Sequence, residues 1–219
     1  MINMGIIGMG RMGEIHANEI KKNKNLNLIA VSKRNKDRIR EIEKKFNIKV
    51  YLDNDGILNN KEINYIVIAT TNETHEELTI KALNKGKNVI VEKPMALNHK
   101  GTQRMIKAAE KNKKNLFVYH SMLWDRDFLF VKDIVNSNKL GEILVINNSY
   151  CYFGEYWAGW GIHGMKEPWR IKSKYGGGML MDMGPHLVSQ ILDIVNDNPI
   201  GVFGIIRSGL WTSEVDDHF

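Results

Sequence analysis

The sequence predicts an α/β protein in which a doubly wound parallel sheet is followed by a second, smaller domain. Up to Tyr119, short apolar runs alternate with segments of helical periodicity, as in a parallel sheet covered by helices on both faces. Runs such as Ile66 to Ala69 and Val89 to Val91 are continuously apolar, which is typical of strands buried on both sides. A G-x-G-x-x-G pattern directly follows the first run.

The elements of the first domain, residues 1–121, follow from this alternation. The predicted strands are MGIIG, LNLIAV, YIVIA, NVIVE and LFVYH. The predicted helices between them are Met12 to Asn23, Lys36 to Phe46, Thr74 to Lys85 and Asn98 to Asn112. Ligands of doubly wound folds bind at the carboxyl ends of the strands, so the residues that follow each strand are the candidates for a site.

The second domain, residues 122–219, begins where aromatic residues become frequent, in SMLWDRDFLF. A glycine-rich step at Gly176 to Gly178 precedes its most regular helical pattern. The predicted elements are a helix from Phe128 to Asn136, a strand from Glu142 to Tyr152, a long loop to Tyr175, a helix from Met179 to Val195 and a strand from Val202 to Arg207.

The composition indicates a globular protein with a small-molecule ligand. The 219 residues are 43% hydrophobic, which is enough for an ordinary core. The formal charge of +6 is spread over lysines that alternate with asparagine and glutamate, so we expect no nucleic acid partner. No apolar run reaches the ~20 residues of a membrane span. The single cysteine, Cys151, fits a reducing compartment and is interpreted as a packing residue, and we expect a cytoplasmic protein.

Three glycines, Gly8, Gly10 and Gly13, lie between the first strand and the first helix. Gly8 permits a tight turn, Gly10 lets the main chain approach a pyrophosphate, and Gly13 lets the helix pack closely on the sheet. The helix N-terminus supplies N–H donors, and Arg11 is a candidate for a further phosphate contact or a solvated charge. This pattern predicts a Rossmann dinucleotide site; the alternative is a glycine-rich turn without a ligand.

The end of the second strand bears on the choice between NAD and NADP. An acidic residue about 20 residues after the glycines usually binds the ribose hydroxyls of NAD. Ser32, Lys33 and Arg34 occupy that place here, and a hydroxyl with two cations favours a ribose 2′-phosphate. We therefore expect NADP as the preferred cofactor and NAD as the second choice. In the alternative interpretation, Lys33 and Arg34 are solvated loop charges.

A charged residue, Lys93, follows the apolar strand NVIVE and precedes Pro94. Burial of an unpaired ammonium group is unfavourable, so Lys93 is expected to face a polar site. Its place at the carboxyl end of a strand predicts that it reaches toward a nicotinamide and the substrate oxygen, with Glu92 nearby to moderate its charge. We expect a cis Lys93–Pro94 bond. The alternative is a lysine that only caps the strand end.

In the segment GGGMLMDMGPHLVSQILDI, Asp182 and His186 lie four residues apart, on one face of the predicted helix. A carboxylate one turn from an imidazole can set the tautomer of the ring, although such a pair is by itself more often structural than catalytic. Pro185 raises the alternative that the helix begins at Gly184, which would weaken this geometry. No third ligand stands at a suitable spacing, so no metal site is predicted. The residues expected to supply apolar packing are Leu180, Met183, Leu187 and Ile191.

Taken together, GMGRMG, EKP and GGGMLMDMGPH resemble the glucose–fructose oxidoreductase/inositol dehydrogenase family of NAD(P)-dependent enzymes, and the resemblance extends from Met4 to Phe219. ATTNETH resembles the family's loop after the fourth strand, with Thr71 in place of a common proline. WDRDF, EPWR and EVDDHF resemble a branch that includes NADP-dependent scyllo-inositol dehydrogenases.

The resemblance implies roles for individual residues. Lys93, Asp182 and His186 would form the catalytic set: His186 as base in oxidation or acid in reduction, Lys93 as the group that stabilises alkoxide charge, and Asp182 as a residue that orients the imidazole or binds a neighbouring hydroxyl. The cofactor-binding residues would be Gly8, Gly10, Arg11, Met12, Gly13, Ser32, Lys33, Arg34, Thr70, Thr71, Asn72, His75, Glu92 and Lys93. The substrate-binding residues would be Trp124, Asp125, Trp169, Arg170, Asp182 and His186.

The implied activity is hydride transfer between nicotinamide and the hydroxyl or carbonyl carbon of a polyol or sugar. Members of the family are longer and carry a large, mostly antiparallel sheet in the second domain. We therefore expect a C-terminally truncated chain with an incomplete α+β second domain, and a homo-oligomer formed through that sheet. The alternatives are a protein that binds the nicotinamide dinucleotide without chemistry and an inactive fragment.

Overall fold

The computed structural model of the chain describes residues 1–36, 38–151 and 169–219. The chain divides into two compact units, Met1–Tyr119 and His120–Phe219. The division falls directly after the last strand of the sheet, Leu116–Tyr119.

The first unit is built on a parallel sheet of six strands. The strands are β1 (Ile2–Ile7), β2 (Leu26–Ser32), β3 (Lys49–Tyr51), β4 (Tyr65–Ile68), β5 (Asn88–Glu92) and β6 (Leu116–Tyr119). Their order across the sheet is β3-β2-β1-β4-β5-β6, and every pair is parallel. The order reverses between β1 and β4, which is the place where doubly wound sheets bind ligands.

Helices connect the strands and continue into the second unit. In the described residues they are α1 (Arg11–Lys22), α2 (Ile39–Phe46), α3 (Asn54–Asn59), α4 (His75–Asn84), α5 (His99–Asn112), α6 (Arg126–Asn136) and α7 (Met179–Val195). Short 3₁₀ helices lie at Asn72–Thr74, Ser121–Trp124, Trp169–Ile171 and Ser173–Tyr175.

The core of the first unit lies on both faces of the sheet. Val89 and Val91 of β5 belong to an apolar cluster shared with α4 and α5. Ile90, between them, packs against a second cluster that includes residues of α1 and α2. Because alternate residues of one strand are buried on opposite faces, the strands are continuously apolar, as the sequence predicts.

The structure confirms the doubly wound parallel sheet and contains all five predicted strands and all four predicted helices of the first unit. It also contains β3 and α3, which were not predicted from the sequence. These elements have three and six residues, which is too short for apolar periodicity to be recognised. The predicted cis bond between Lys93 and Pro94 is also confirmed.

The second unit confirms two predicted helices and corrects two predicted strands. In the described residues, the predicted strands Glu142 to Tyr152 and Val202 to Arg207 form no ladder, apart from one antiparallel bridge between Arg207 and His218. Tyr152 and most of the predicted loop to Tyr175 lie outside the described residues. A strand requires a neighbour for its N–H and C=O groups, and apolar alternation alone does not supply one.

Apolar side chains of these two segments are exposed instead of buried. Leu144 is 82% exposed and Val202 is 91% exposed. Cys151 is also exposed, so its interpretation as a packing residue is wrong, for the same reason: the segment that contains it packs against no neighbouring strand among the described residues. In residues 1–36, 38–151 and 169–219, no helix combines the length and the apolar character needed to cross a bilayer.

At the amino edge of the sheet, Lys87 precedes β5 and is buried. Its Nζ donates to the main-chain carbonyls of Asn60 and Ile63, and thereby holds the connection between α3 and β4. Burial, and then the charge of Lys114, lowers the pKa of Lys87 below its ordinary value. Between this lowered pKa and the ordinary value, the unfolded chain binds more protons, so the contribution of Lys87 to the free energy of unfolding rises with pH in that window.

We expect Lys87→Met to lower the free energy of unfolding by about 1 to 3 kcal/mol at neutral pH, because two buried carbonyls lose a charged donor. The difference in the free energy of unfolding between the parent chain and the variant should grow as the pH rises through the same window. Urea unfolding followed by circular dichroism measures this free energy. Tryptophan fluorescence does not report on the first unit, because no tryptophan precedes Trp124.

Lys85→Met is the matched control, since Lys85 is an exposed lysine two residues away. Equal stability of the Lys87→Met and Lys85→Met variants would contradict this account of Lys87.

Candidate functional site

The turn from β1 into α1 is held by contacts between main-chain atoms. Gly8 has a φ of +97°, in the left-handed region that favours glycine, and a Cβ there would lie 2.4 Å from the carbonyl oxygen of Ala69. A Cβ on Gly13 would lie 2.0 Å from the carbonyl oxygen of Gly8. Contacts within the protein therefore require a glycine at both positions.

Gly10 differs from the other two glycines, because no protein atom lies within 4 Å of a Cβ built on it. It is the N-cap of α1 and has a φ of −80°, which any residue can adopt. The first N–H groups of the helix, from Arg11 and Met12 onward, point out of its positive end. Open space in front of these donors fits a pyrophosphate.

Acidic charge in the first turn of α1 is neutralised. Glu14 lies 2.9 Å from Nη1 of Arg38 and 3.1 Å from Nζ of Lys45. The hydrogen bond to Glu41, and then the charge of Glu14, raises the pKa of Arg38 further above its ordinary range. Glu14 is therefore shared between two cations, which reduces its repulsion of an anion at the same helix end.

At the end of β2, the three residues predicted to contact a 2′-phosphate have different surroundings. Ser32 is buried, and its hydroxyl donates to Oδ1 of Asn54 at 2.8 Å. Lys33 is half-buried and Arg34 is exposed. The two cations are therefore the better placed of the three for an incoming phosphate, whereas Ser32 keeps only its acceptor capacity.

The loop after β4 contains three of the predicted cofactor-binding residues. The hydroxyls of Thr70 and Thr74 lie 2.6 Å apart, and the hydroxyl of Thr71 donates to Glu73 at 2.7 Å. Asn72 is buried at the start of the 3₁₀ helix. Local hydrogen bonds thus shape this loop beside the turn of Gly8.

Lys93 follows β5 and is half-buried. Glu92, predicted to moderate its charge, is buried, and its Oε1 lies 2.7 Å from Nε2 of His16. The ring of His16 also contacts Tyr119, with centroids 4.6 Å apart. Burial, and then the charge of Glu92, raises the pKa of Tyr119. His16 was missed in the sequence, where its only signal is a histidine at an apolar position of α1, one turn after Gly13.

His75, predicted to bind the cofactor, is fully buried and has no surface to offer a ligand. Its Nδ1 lies 2.8 Å from the carbonyl oxygen of Pro94, and its Nε2 lies 3.2 Å from that of Thr70. Burial lowers the pKa of His75, against the opposing effect of the two carbonyls. The ring therefore contacts the main chain of two loops at the carboxyl edge of the sheet.

In the second unit, Asp182 and Arg170 form an ion pair, with Nε of Arg170 2.8 Å from Oδ2 of Asp182. The guanidinium also lies over the ring of Trp169, 4.5 Å from the centroid. Arg170 thus contacts two other predicted site residues, Asp182 and Trp169. Both members of the ion pair are largely buried, so the arrangement is held more firmly than a surface pair.

His186 lies one turn after Asp182 on α7, and both are buried. The ring of His186 meets that of His120 edge to face, with centroids 6.3 Å apart. Helix α7 begins at Met179 and contains Pro185, so the alternative start at Gly184 is wrong. The spacing of Asp182 and His186 on one helix face is preserved.

The start of α7 before Pro185 is explained by hydrogen bonds to Asp216, which were not predicted from the sequence. The N–H of Leu180 donates to Oδ2 of Asp216 at 2.6 Å, and the N–H of Met179 donates to the carbonyl of the same residue. These bonds satisfy donors of the first turn, so the helix forms before the proline. Asp216 belongs to the segment EVDDHF, which gave no spacing signal for this contact.

The remaining predicted substrate residues lie on the surface. Trp124 is 78% exposed at the end of a 3₁₀ helix, and Asp125 is the N-cap of α6 without a side-chain hydrogen bond to the cap. In the part of the chain that the structure describes, no three His, Cys, Asp or Glu side chains cluster in a way that could hold a metal ion.

Comparison with known proteins extends this description. The chain is similar to myo-inositol 2-dehydrogenase of Thermotoga maritima, at 32% identity over 142 residues, 64% of this chain and 42% of the relative. It is similar to scyllo-inositol 2-dehydrogenase (NADP(+)) of Bacillus subtilis, at 26% identity over 219 residues, 100% of this chain and 58% of the relative. The solved NAD-binding protein from Listeria innocua superposes with a TM-score of 0.73 at 28% identity, covering 87% of this chain and 54% of that one.

The chain thus spans about half the length of the proteins that it matches. Residues 2–120 match the model of an oxidoreductase family with an NAD-binding Rossmann fold, and residues 128–219 match the GFO/IDH/MocA C-terminal domain. With both parts matched in sequence order, the chain belongs to the GFO/IDH/MocA oxidoreductase family.

Proposed function

We propose that this chain binds NADP(H) in preference to NAD(H) and transfers a hydride between it and a hydroxyl or carbonyl carbon of a polyol or sugar. The observation that carries the proposal is the open space at Gly10, before the positive end of α1 and beside the reversal of strand order. Relatives named as inositol dehydrogenases favour a cyclic polyol as substrate.

The bound nicotinamide would supply hydride transfer, and the protein would supply binding and proton transfer. We assign His186 as the base that takes the hydroxyl proton in oxidation and returns it in reduction. Lys93 is assigned the stabilisation of negative charge that develops on the reacting oxygen. Asp182, held by Arg170, is assigned to the catalytic set as the residue that orients the imidazole or binds a neighbouring hydroxyl.

The remaining assignments follow from the surroundings of each residue. Gly8, Gly10, Gly13 and the loop of Thr70 to Asn72 are proposed to line the cofactor. Trp124, Asp125, Trp169 and Arg170 are proposed to contact substrate. We place the protein in the cytoplasm.

We also propose that the chain forms a homo-oligomer through its second unit. Exposed apolar side chains in that unit support this proposal, among them Leu144, Val202 and Phe203. Apolar surface of this kind is typical of interaction sites. Light scattering of the purified chain tests the proposal, and a monomer at all concentrations would contradict it.

Gly10→Ala should weaken NADPH binding at least about tenfold, roughly 1.4 kcal/mol, because a methyl group would occupy the space assigned to the pyrophosphate. Fluorescence titration with NADPH measures the dissociation constant. Gly201→Ala is the matched control, since a Cβ there also meets no protein atom, but far along the chain in the second unit. Equal NADPH affinity of the Gly10→Ala and Gly201→Ala variants would contradict the proposed binding mode.

Arg34→Ala should raise the dissociation constant of NADPH by about 10- to 100-fold, the value of one charged hydrogen bond, and leave that of NADH nearly unchanged. Arg40→Ala, an exposed arginine on α2, is the control. If the parent chain binds NADH as tightly as NADPH, the preference for NADP is wrong.

Lys93→Met and His186→Ala should each slow turnover by at least about 100-fold, the scale of general acid–base and charge-stabilising groups. Initial rates with NADP⁺ and a panel of polyols that includes myo- and scyllo-inositol measure the effect, with Lys100→Met as an exposed control. A parent chain that binds NADPH but turns over no polyol or sugar would favour a binding protein over a dehydrogenase.

A further inference from the structure

Lys93 stands between two residues that are each held by a buried histidine. On one side, Nε2 of His16 lies 2.7 Å from Oε1 of Glu92. On the other, Nδ1 of His75 lies 2.8 Å from the carbonyl oxygen of Pro94. The two residues are only 7% and 0% exposed, and neither has a part in the hydride or proton transfer proposed above.

The two histidines reach the Lys93 segment from opposite faces of the sheet. His16 lies on α1, whose residues share an apolar cluster with Ile90. His75 begins α4, whose residues share the opposite cluster with Val91. Because side chains alternate along a strand, Glu92 faces the same side as Ile90, which is the side of α1. The residues flanking Lys93 are thus tied to a helix on each face.

The two contacts use different ring nitrogens. Pro94 and Thr70 present carbonyl oxygens to His75, and these only accept hydrogen bonds. Burial lowers the pKa of His75, which favours a neutral ring with one N–H, and the shorter distance assigns that N–H to Nδ1. At His16, the partner of Nε2 is a carboxylate, so Nε2 is the donor.

We propose that His16 and His75 are positioning residues that fix the chain on both sides of Lys93 and thereby set where its ammonium group lies. The inference rests on the proposed function, in which Lys93 stabilises charge on the reacting oxygen. Lysine carries its charge on a flexible stem, so the placement of its main chain limits where the charge can be. A displacement of about 1 Å can slow an enzyme by about 100-fold.

The difference between the ring nitrogens gives a matched set of variants. The amide nitrogen of asparagine can replace Nδ1 of histidine, and that of the longer glutamine can replace Nε2. His75→Asn therefore keeps the donor to Pro94, whereas His75→Gln loses it. At position 16 the order reverses: His16→Gln keeps the donor to Glu92, and His16→Asn loses it.

We expect kcat with scyllo-inositol and NADP⁺ to fall about 10- to 100-fold in His75→Gln and His16→Asn, and several times less in His75→Asn and His16→Gln. KM for NADP⁺ should stay within about threefold in the two His16 variants, because His16 contacts neither the glycine turn nor the loop of Thr70 to Asn72 in any bond described above. General destabilisation of the fold would not make asparagine the milder replacement at position 75 and glutamine the milder one at position 16. If the same replacement lowered kcat less at both positions, the proposal would be overturned.

A second measurement does not depend on activity. Amide hydrogen exchange of residues 92–97 in the chain without ligand should be about tenfold faster in His75→Gln and His16→Asn than in the other two variants. Exchange that does not follow this order overturns the proposal, whatever the activity. If the order holds but Lys93→Met turns over normally, the proposed role of Lys93 fails and the anchoring by the two histidines stands.

Discussion

The geometry of the carboxyl edge of the sheet depends on the close approach of α1 to the turn after β1. The carbonyl of Gly8 in this turn leaves no room for a Cβ at Gly13 of α1, and the main chain of Ala69 leaves none at Gly8. These are contacts between main-chain atoms, which cannot relax as flexible side chains can. They hold the positive end of a 12-residue helix at the reversal of strand order, whereas a Cβ at Gly10 would meet no protein atom within 4 Å.

Buried polar side chains fix the loops at both edges of the sheet. Lys87 binds two carbonyls at the amino edge, and His75 contacts two at the carboxyl edge. Burial of such groups is unfavourable unless they are hydrogen-bonded, so each is tied to a particular geometry of the chain. Apolar packing determines that the layers associate, whereas these contacts determine where individual loops lie.

The sequence predicted the regular part of the fold and much less of the site. Long periodic segments identified the helices of the first unit, but the contact of His16 with Glu92 spans 76 residues and leaves no spacing signal. On α7, the predicted apolar residues Leu180 and Leu187 are only half-buried, while the polar Gln190 is buried together with Asp182 and His186. Periodicity identifies a helix, but the buried face follows from partners that lie elsewhere in the chain.

The ion pair in the second unit fixes the orientation of two predicted site residues, Arg170 and Asp182. Arg170, predicted only as a substrate contact, holds Asp182 and stacks on Trp169, so its guanidinium is oriented before any ligand arrives. A planar guanidinium fixed in this way has a set hydrogen-bonding geometry, which the flexible stem of a lysine would not offer at this position. The same contact neutralises the carboxylate one turn from His186, which limits the electrostatic influence of Asp182 on the imidazole. Orientation of the neighbouring groups, more than their net charge, is therefore what Asp182 contributes to this face of α7.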